Sequence, residues 1–342
     1  MIKVILQIIV SFSLSYLILK LLLKYVKESF LDQPNSSRKQ HTYPIPRFGG
    51  LGFVFAIFTA ILATNNFSSI STWYFIGALL IWILGTVDDS INLNWAIKLC
   101  VQILVGVLLF INVITSISFP EIFLTSQLNI ISMALFLVVW LVWFLGMTNA
   151  VNLCDGLDGL AASMMVISSI GLCFFGLPSL HLIIAASLVG FLIFNKYPAK
   201  LYMGDSGSLF LGYHLAIVPV LFATQSQLGS IDIGAYLIMN TYFIWDTTRV
   251  VIARLLLRKS PFQPDQSHYH FMLIQRGCSI NVAVARICII HFYFVLCASL
   301  ICLIGYQVFT LIIISIGICY LLYESFNLQN LKAYKYNASK PL

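Results

Sequence analysis

Asp88 and Asp89 stand side by side in VDDSINLNWAIK, with Lys98 about ten residues on. Adjacent carboxylates repel, so keeping both ionised favours a cation or a metal close by. A second stretch, NAVNLCDGLDGLA (149–161), spaces Asn149 from Asn152 and Asp155 from Asp158 by three residues. If that segment is helical, the spacing puts four oxygen-bearing side chains on one stripe, a donor set that suits a hard cation such as Mg²⁺. Helix N-capping would explain one of the four but hardly all. In MGDSGS (203–208), Gly204, Gly207 and two serines offer backbone N–H groups at a helix start, an anion site. Asp205 is an odd neighbour for a phosphate unless a metal bridges the two, as Mg²⁺ does between carboxylates and substrate phosphates. In PDQSHYH, His268 and His270 are two residues apart, with Asp265 just before them. Arg249, Arg254, Arg258 and Lys259 precede the pair and Arg276 follows. No Cys or carboxylate stands at zinc spacing, so contact with phosphate is the better reading of this basic loop. The plainer readings are a solvated helix end for Asp88 and Asp89, a glycine turn for MGDSGS, and a loop against lipid headgroups for the arginines. Each competes with its motif taken singly.

The surrounding chain decides between them. Its 342 residues are 60% hydrophobic and 9% charged, with a mean hydropathy of +0.95, far outside the soluble globular range. The apolar residues come in blocks near the roughly 20 residues that a bilayer crossing needs. Eleven candidate spans lie near 2–24, 49–64, 73–87, 98–114, 130–148, 159–176, 180–195, 207–223, 232–249, 281–304 and 307–324. The expected fold is therefore all-α and polytopic, because helices satisfy their own backbone in lipid. Residues 1–342 read as one transmembrane domain, and the first segment, with no A-x-A-like cleavage site after it, as a retained span. The Cys residues lie mostly in spans and suggest neither a disulfide frame nor a zinc site. Nearly every Lys and Arg falls in or beside the loops around 28–48, 88–98, 196–206 and 250–280, and the loop around 149–158 lies on the same side. The opposite loops hold Glu121 and no basic residue. The positive-inside rule makes the basic side cytoplasmic, the N-terminus external and the tail internal. The net charge of +7 suits anionic headgroups and needs no nucleic acid. A homodimer is compatible with this organisation.

All the polar clusters, including SSRKQHTYPIPRFGG (36–50), then fall on one side. Ionisable groups gathered at membrane depth usually mark a site. His181, His214 and His291, inside or at the edge of spans, read as packing residues. A transporter would carry charge or broken helices near mid-bilayer, where these spans are almost uncharged.

These motifs, in this order and over most of the chain, resemble the polyprenyl-phosphate N-acetylhexosamine-1-phosphate transferases, enzymes of the glycosyltransferase family 4 type. The resemblance runs from HTYPIPRFGG through VDDSINLNWAIKL, NAVNLCDGLDGLA and MGDSGSLFLG to DQSHYHF. It implies transfer of an N-acetylhexosamine-1-phosphate from a UDP-sugar to undecaprenyl or another polyprenyl phosphate at the inner membrane, early in cell-surface polysaccharide, O-antigen or cell-wall synthesis. Asp88 and Asp89 look like the catalytic acid pair that binds or deprotonates the lipid phosphate. Asn152 and Asp205 match metal positions for Mg²⁺, with Mn²⁺ as a substitute. Lys98, Asn149, Asp155, Asp158, His268 and His270 match the substrate-binding shell. The peptidoglycan branch has a Lys shortly after the acid pair, where this chain has Ile91 and Asn92. Its run of three histidines is interrupted here by Tyr269, with Phe271 following. With eleven spans rather than ten, these departures favour UDP-GlcNAc over the muramoyl-pentapeptide substrate, a deoxy-N-acetylhexosamine being the other alternative. A CDP-alcohol phosphotransferase would need D-G-x-x-A-R, and DGLDGLAA lacks the Arg.

Overall fold

In the computed structural model, residues 2–25, 31–32, 44–63, 72–116, 130–223, 232–260, 266–306 and 311–324 are described. Asp265, Glu121, residues 36–43 of the basic stretch and the tail from 325 lie outside them. The expected all-helical architecture is present, with helices on all eleven apolar stretches. In chain order they are α1 (Ile2–Lys24), α2 (Gly49–Ala63), α3 (Thr72–Ile91), α4 (Trp95–Ser116), α5 (Ile130–Cys154), α6 (Leu160–Leu172) and α7 (Pro178–Asn195). There follow α8 (Gly204–Ala223), α9 (Ile233–Met239), α10 (Thr241–Leu256), α11 (Tyr269–Gln275), α12 (Ile280–Ile304) and α13 (Leu311–Glu324). Among the described residues, six helices are long and apolar enough to cross a membrane. The ninth stretch is two helices, α9 and α10, interrupted at Asn240, whose Nδ2 donates to Tyr236 O at 2.9 Å. One feature had no counterpart in the sequence pattern. Leu31–Asp32 (β1) pairs antiparallel with Ile45–Pro46 (β2).

The helix ends also move from where hydropathy alone puts them. α3 runs on to Ile91, so Asp88 and Asp89 are helical. α5 runs on to Cys154, so Asn149 and Asn152 are helical as well. Hydropathy falls before the backbone stops being helical, because a helix end reaching headgroup depth can carry polar side chains. Asp155 and Asp158 do not share a helix stripe. They occupy the turn between α5 and α6, which Gly159 closes with φ +75°, a left-handed conformation that glycine adopts without steric penalty.

α8 is the axis of the bundle. It packs against α2, α3 and α5 and is buried without a break from Ser206 to Val218. The outer helices instead expose aliphatic rows, such as Leu135, Val138, Val139 and Val142 on α5. In water such rows would be an aggregation surface; against lipid tails they are the natural covering. α1 lies along α7 through small polar residues. Ser11 Oγ donates to Ile183 O and Ser15 Oγ to Ser187 O, both at 2.7 Å. Ser187 Oγ continues to Phe53 O on α2 at 2.9 Å. Helices in lipid associate through such close packing and interhelical hydrogen bonds.

Replacing Ser11 and Ser15 together by Ala removes two of these bonds. At about 0.6 kcal/mol each, the loss is a small downward shift in thermal unfolding of the detergent-solubilised chain. Gly190→Leu, whose Cβ would lie 2.9 Å from Phe12 O, lowers stability much more because backbone must move.

Candidate active site

The residues singled out from the sequence meet where α3, α4, α5 and α8 end on one side of the bundle. The 92–94 connection between α3 and α4 is three residues long. Asn92 adopts φ 50° and its N–H returns to Asp88 O at 2.8 Å. Asn94 Oδ1 then caps α4 by accepting from Ala96 N at 3.0 Å. This tight reversal brings Lys98, one turn into α4, back over the end of α3. Lys98 Nζ lies 3.0 Å from Asp88 Oδ2 and 3.0 Å from Asp205 Oδ2. Two oxygens each 3.0 Å from one nitrogen are at most 6.0 Å apart. At an effective dielectric of about 20, their repulsion is at least about 3 kcal/mol and each of the two attractions to the ammonium about 5 kcal/mol. Attraction wins, so one lysine suffices to hold the two acids together.

Asp205 also accepts from Asn152 Nδ2 at 3.1 Å, and the same nitrogen reaches Ser208 Oγ at 2.9 Å. One turn earlier on α5, Asn149 exchanges hydrogen bonds with Gln102 of α4, 2.8 Å and 3.4 Å long. Asp88 Oδ1 accepts from Leu93 N at 2.7 Å.

Asp89 has a different task from its neighbour. Its two oxygens accept from Asp205 N at 2.7 Å and Ser206 N at 3.0 Å. The first amides of α8, read from the sequence as a phosphate cradle, are therefore filled by a carboxylate of α3. That carboxylate meets the positive end of the helix dipole. The approach requires Gly204, φ +73°, because a Cβ there would lie 2.5 Å from Asp89 Oδ2.

Asp158 also meets backbone. Its Oδ2 accepts from Ala199 N at 2.8 Å. Asn195 ties the same two loops together, accepting from Gly159 N at 3.1 Å and donating to Leu201 O at 2.8 Å. Asp155 makes no such bond in the structure as described. Burial, then the charges of Asp205, Asp89 and Asp158, hold its carboxyl up at about 7.

His268 and His270 form a second group built around Asp246 of α10. Asp246 Oδ2 accepts from His268 Nδ1 at 2.8 Å. Its Oδ1 accepts from Tyr269 N at 2.9 Å and pairs with Arg249 Nη2 at 2.7 Å. Arg249 also donates to Ser267 O at 2.8 Å and lies over the Trp245 ring at 5.5 Å. The rings of His268 and His270 are stacked 5.8 Å apart at 14°. His268 Nε2 and both nitrogens of His270 are buried without a hydrogen-bond partner. Burial holds His270 down at about 3, so at neutral pH it offers one donor and one acceptor. The two groups touch through the α5–α6 turn, where a Cβ on Gly156 would lie 2.1 Å from His270 Nε2. Asp246 was not singled out from the sequence, though an acid inside an apolar span is itself a signal. Gln102 and Asn195 were also passed over, and amides inside apolar helices carry no comparable mark.

A match to the family model described as glycosyl transferase family 4 covers residues 71–223. A probable undecaprenyl-phosphate N-acetylglucosaminyl 1-phosphate transferase of Bacillus subtilis is 37% identical over 305 residues, which is 86% of this chain and 84% of the relative. The chain belongs to glycosyl transferase family 4. An undecaprenyl-phosphate alpha-N-acetylglucosaminyl 1-phosphate transferase of Thermotoga maritima is 31% identical, covering 73% of this chain and 75% of the relative. A phospho-N-acetylmuramoyl-pentapeptide-transferase of Chlamydia muridarum is 32% identical, covering 72% and 80%. The family-model match contains the whole Asp88–Lys98–Asn152–Asp205 group, while the Asp246–His268 group lies beyond it.

Among the described residues, no three His, Cys, Asp or Glu side chains form a ready-made metal site. The local charge nonetheless suits a divalent ion. Asp88 and Asp205 flank Lys98, Asp89 and Asp155 lie close enough to Asp205 to feel its charge, and Asn152 adds a neutral side chain against Asp205.

Asp155 gives a pH test. Between 3.8 and about 7 the folded chain keeps a proton that the unfolded chain has lost. The contribution of this residue to stability is therefore full at the acidic end and falls as pH rises through that window. In metal-free buffer, Asp155→Asn unfolds at a higher temperature than the parent at pH 8. The gap narrows toward pH 4, and a gap independent of pH refutes the assignment.

Proposed function

We propose that this chain transfers GlcNAc-1-phosphate from UDP-GlcNAc to undecaprenyl phosphate and releases UMP. The observation that carries the reading is Lys98 held between Asp88 and Asp205, with Asn152 on the same Asp205. The names of the B. subtilis and T. maritima relatives support it. The chain spans the plasma membrane many times, with the N-terminus outside and the site on the cytoplasmic face, where the basic loops lie.

Phosphoryl transfer rests on positioning and charge neutralisation. A lipid phosphate oxygen attacks the sugar-linked phosphorus, the bond to the uridylyl phosphate breaks, and UMP departs. The second pKa of a phosphate monoester is about 6, so the nucleophile is already largely ionised at neutral pH. Asp88 then orients the lipid phosphate rather than deprotonating it. Asp89, with both oxygens on backbone amides, positions α8 and with it Asp205. Asn152 and Asp205 would hold Mg²⁺, which when bound neutralises charge on the diphosphate. Lys98 has three N–H donors and can pass one from a carboxylate to the diphosphate as substrate enters. The carboxylate of Asp246 on Nδ1 fixes the ring of His268, and in its protonated form the ring offers Nε2–H to a phosphate oxygen. Asn149 and Asp155, in the polar shell around Asp205, are assigned to nucleotide recognition.

The C. muridarum relative favours a second reading, a UDP-muramoyl-pentapeptide donor. The interruption of the histidine run by Tyr269 weighs against it. Purified chain offered undecaprenyl phosphate, Mg²⁺ and each of UDP-GlcNAc, a UDP-deoxy-N-acetylhexosamine and the UDP-muramoyl-pentapeptide should release UMP fastest from UDP-GlcNAc. Absence of UMP from all three rejects the transferase reading and leaves a lipid-linked transporter.

Asp205→Asn abolishes Mg²⁺-dependent UMP release, and near-normal turnover by that variant removes Asp205 from the metal role. Asp246→Asn lowers turnover tenfold to a hundredfold, about the range for a carboxylate behind a working histidine, while the chain stays folded. Unchanged kinetics would make the Asp246 group merely structural.

A further inference from the structure

α12 and α13 run antiparallel. Arg286 of α12 meets Tyr320 and Glu324 of α13, and Tyr293 farther along α12 meets Ile313. Between them is an apolar groove of about 570 Å³, lined by Ala285, Ile289, Tyr293, Ile316, Gly317 and Tyr320 with Arg286 among them. Ala285 and Ile289 are exposed on the outer surface of the bundle, so the groove opens toward lipid. Arg286 is six residues into α12, or about 9 Å from its start at 1.5 Å per residue. α12 starts just after the α11 segment that carries His270, so this guanidinium lies on the same side of the bundle as the candidate site, within two turns of the helix start.

The charges at that end do not balance. Glu324 is 3% exposed and receives both Arg276 Nη1, at 3.2 Å, and Arg286 Nη2. Among the described residues, two guanidinium groups on one carboxylate leave an excess of one positive charge. Of the five N–H donors of Arg286, the bonds to Tyr320 and Glu324 occupy only Nη2.

We propose that this groove holds one acyl chain of an anionic phospholipid, its headgroup phosphate on Arg286. The apolar lining matches a hydrocarbon tail, and the surplus positive charge of the Arg276–Arg286–Glu324 cluster, with the remaining donors of Arg286, matches a phosphate bearing net negative charge. A zwitterionic lipid would supply the tail without the net charge, and an apolar protein helix would leave the cluster's surplus charge unanswered. This site is separate from the proposed catalytic group and stands whatever that group transfers.

The full chain in nanodiscs carries the test. Ile289→Trp, at an exposed lining position, reports quenching by tail-brominated lipids, read as the difference from the parent chain. Brominated phosphatidylglycerol should bind about fivefold better than brominated phosphatidylcholine, the factor that one basic residue is worth near an anionic surface. Arg286→Gln neutralises the cluster and abolishes the preference. Arg286→Lys keeps it, and Glu324→Gln enlarges it. Native mass spectrometry of the chain without the tryptophan should retain one phosphatidylglycerol, and Arg286→Gln should lose it. Equal quenching by the two lipids, or a preference that survives Arg286→Gln, overturns the proposal. So does displacement by one equivalent of undecaprenyl phosphate, which would make the occupant the lipid substrate instead.

Discussion

The geometry of the site depends on a single ammonium between two carboxylates. Asp88 closes α3 and Asp205 opens α8, and like charges at that separation would drive the two helix ends apart. Lys98 reverses the sign of the interaction. Beside it, the carboxylate of Asp89 lies on the first amides of α8, so helix dipole and side-chain charge pull the same way. α3 can follow α8 closely because Gly85 presents no side chain where a Cβ would lie 2.4 Å from Asp205 O. Electrostatics chooses which ends meet, and the small residue allows them to.

Much of this arrangement could be read in advance, and for a plain reason. In a chain that is 9% charged, a carboxylate is conspicuous, and the motifs around Asp88, Lys98, Asn152 and Asp205 do converge. What could not be read was how neighbouring acids divide their work. Asp88 and Asp89 are chemically identical and adjacent, yet one faces Lys98 and the other a backbone. Only the path of α8 separates them. The helical stripe expected for Asp155 and Asp158 failed because two glycines in five residues let the chain turn there. The β1–β2 pair left no trace in the sequence pattern, since two residues per strand are too few to show a period. Asp246 was legible in principle, as a lone acid in FIWDTTRV. Its neighbours form no Gly- or Asp-rich motif, so a single acid in an otherwise apolar span carries no spacing to mark its partners.

The two halves of the site differ in electrical character. One gathers acids around a lysine, while the other gathers imidazoles and an arginine around one acid. A turn whose glycine lies flat against an imidazole joins them. An acid pocket held by one lysine beside a wall of hydrogen-bonding imidazoles fits a donor that carries phosphates and reacts with another phosphate, which is the chemistry proposed for it.

The sheathing of α8 has a bearing on how the chain could be redesigned. From Ser206 to Val218 the helix touches protein on every side, so each position there answers to several neighbours at once. The aliphatic rows of α5 and α12 answer only to hydrocarbon, a solvent with no shape of its own. A library that randomises lipid-facing positions among Leu, Ile, Val and Phe should yield mostly functional proteins. The same alphabet applied to α8 should yield almost none, the reverse of what one expects of a water-soluble enzyme, whose surface is polar and whose interior is greasy.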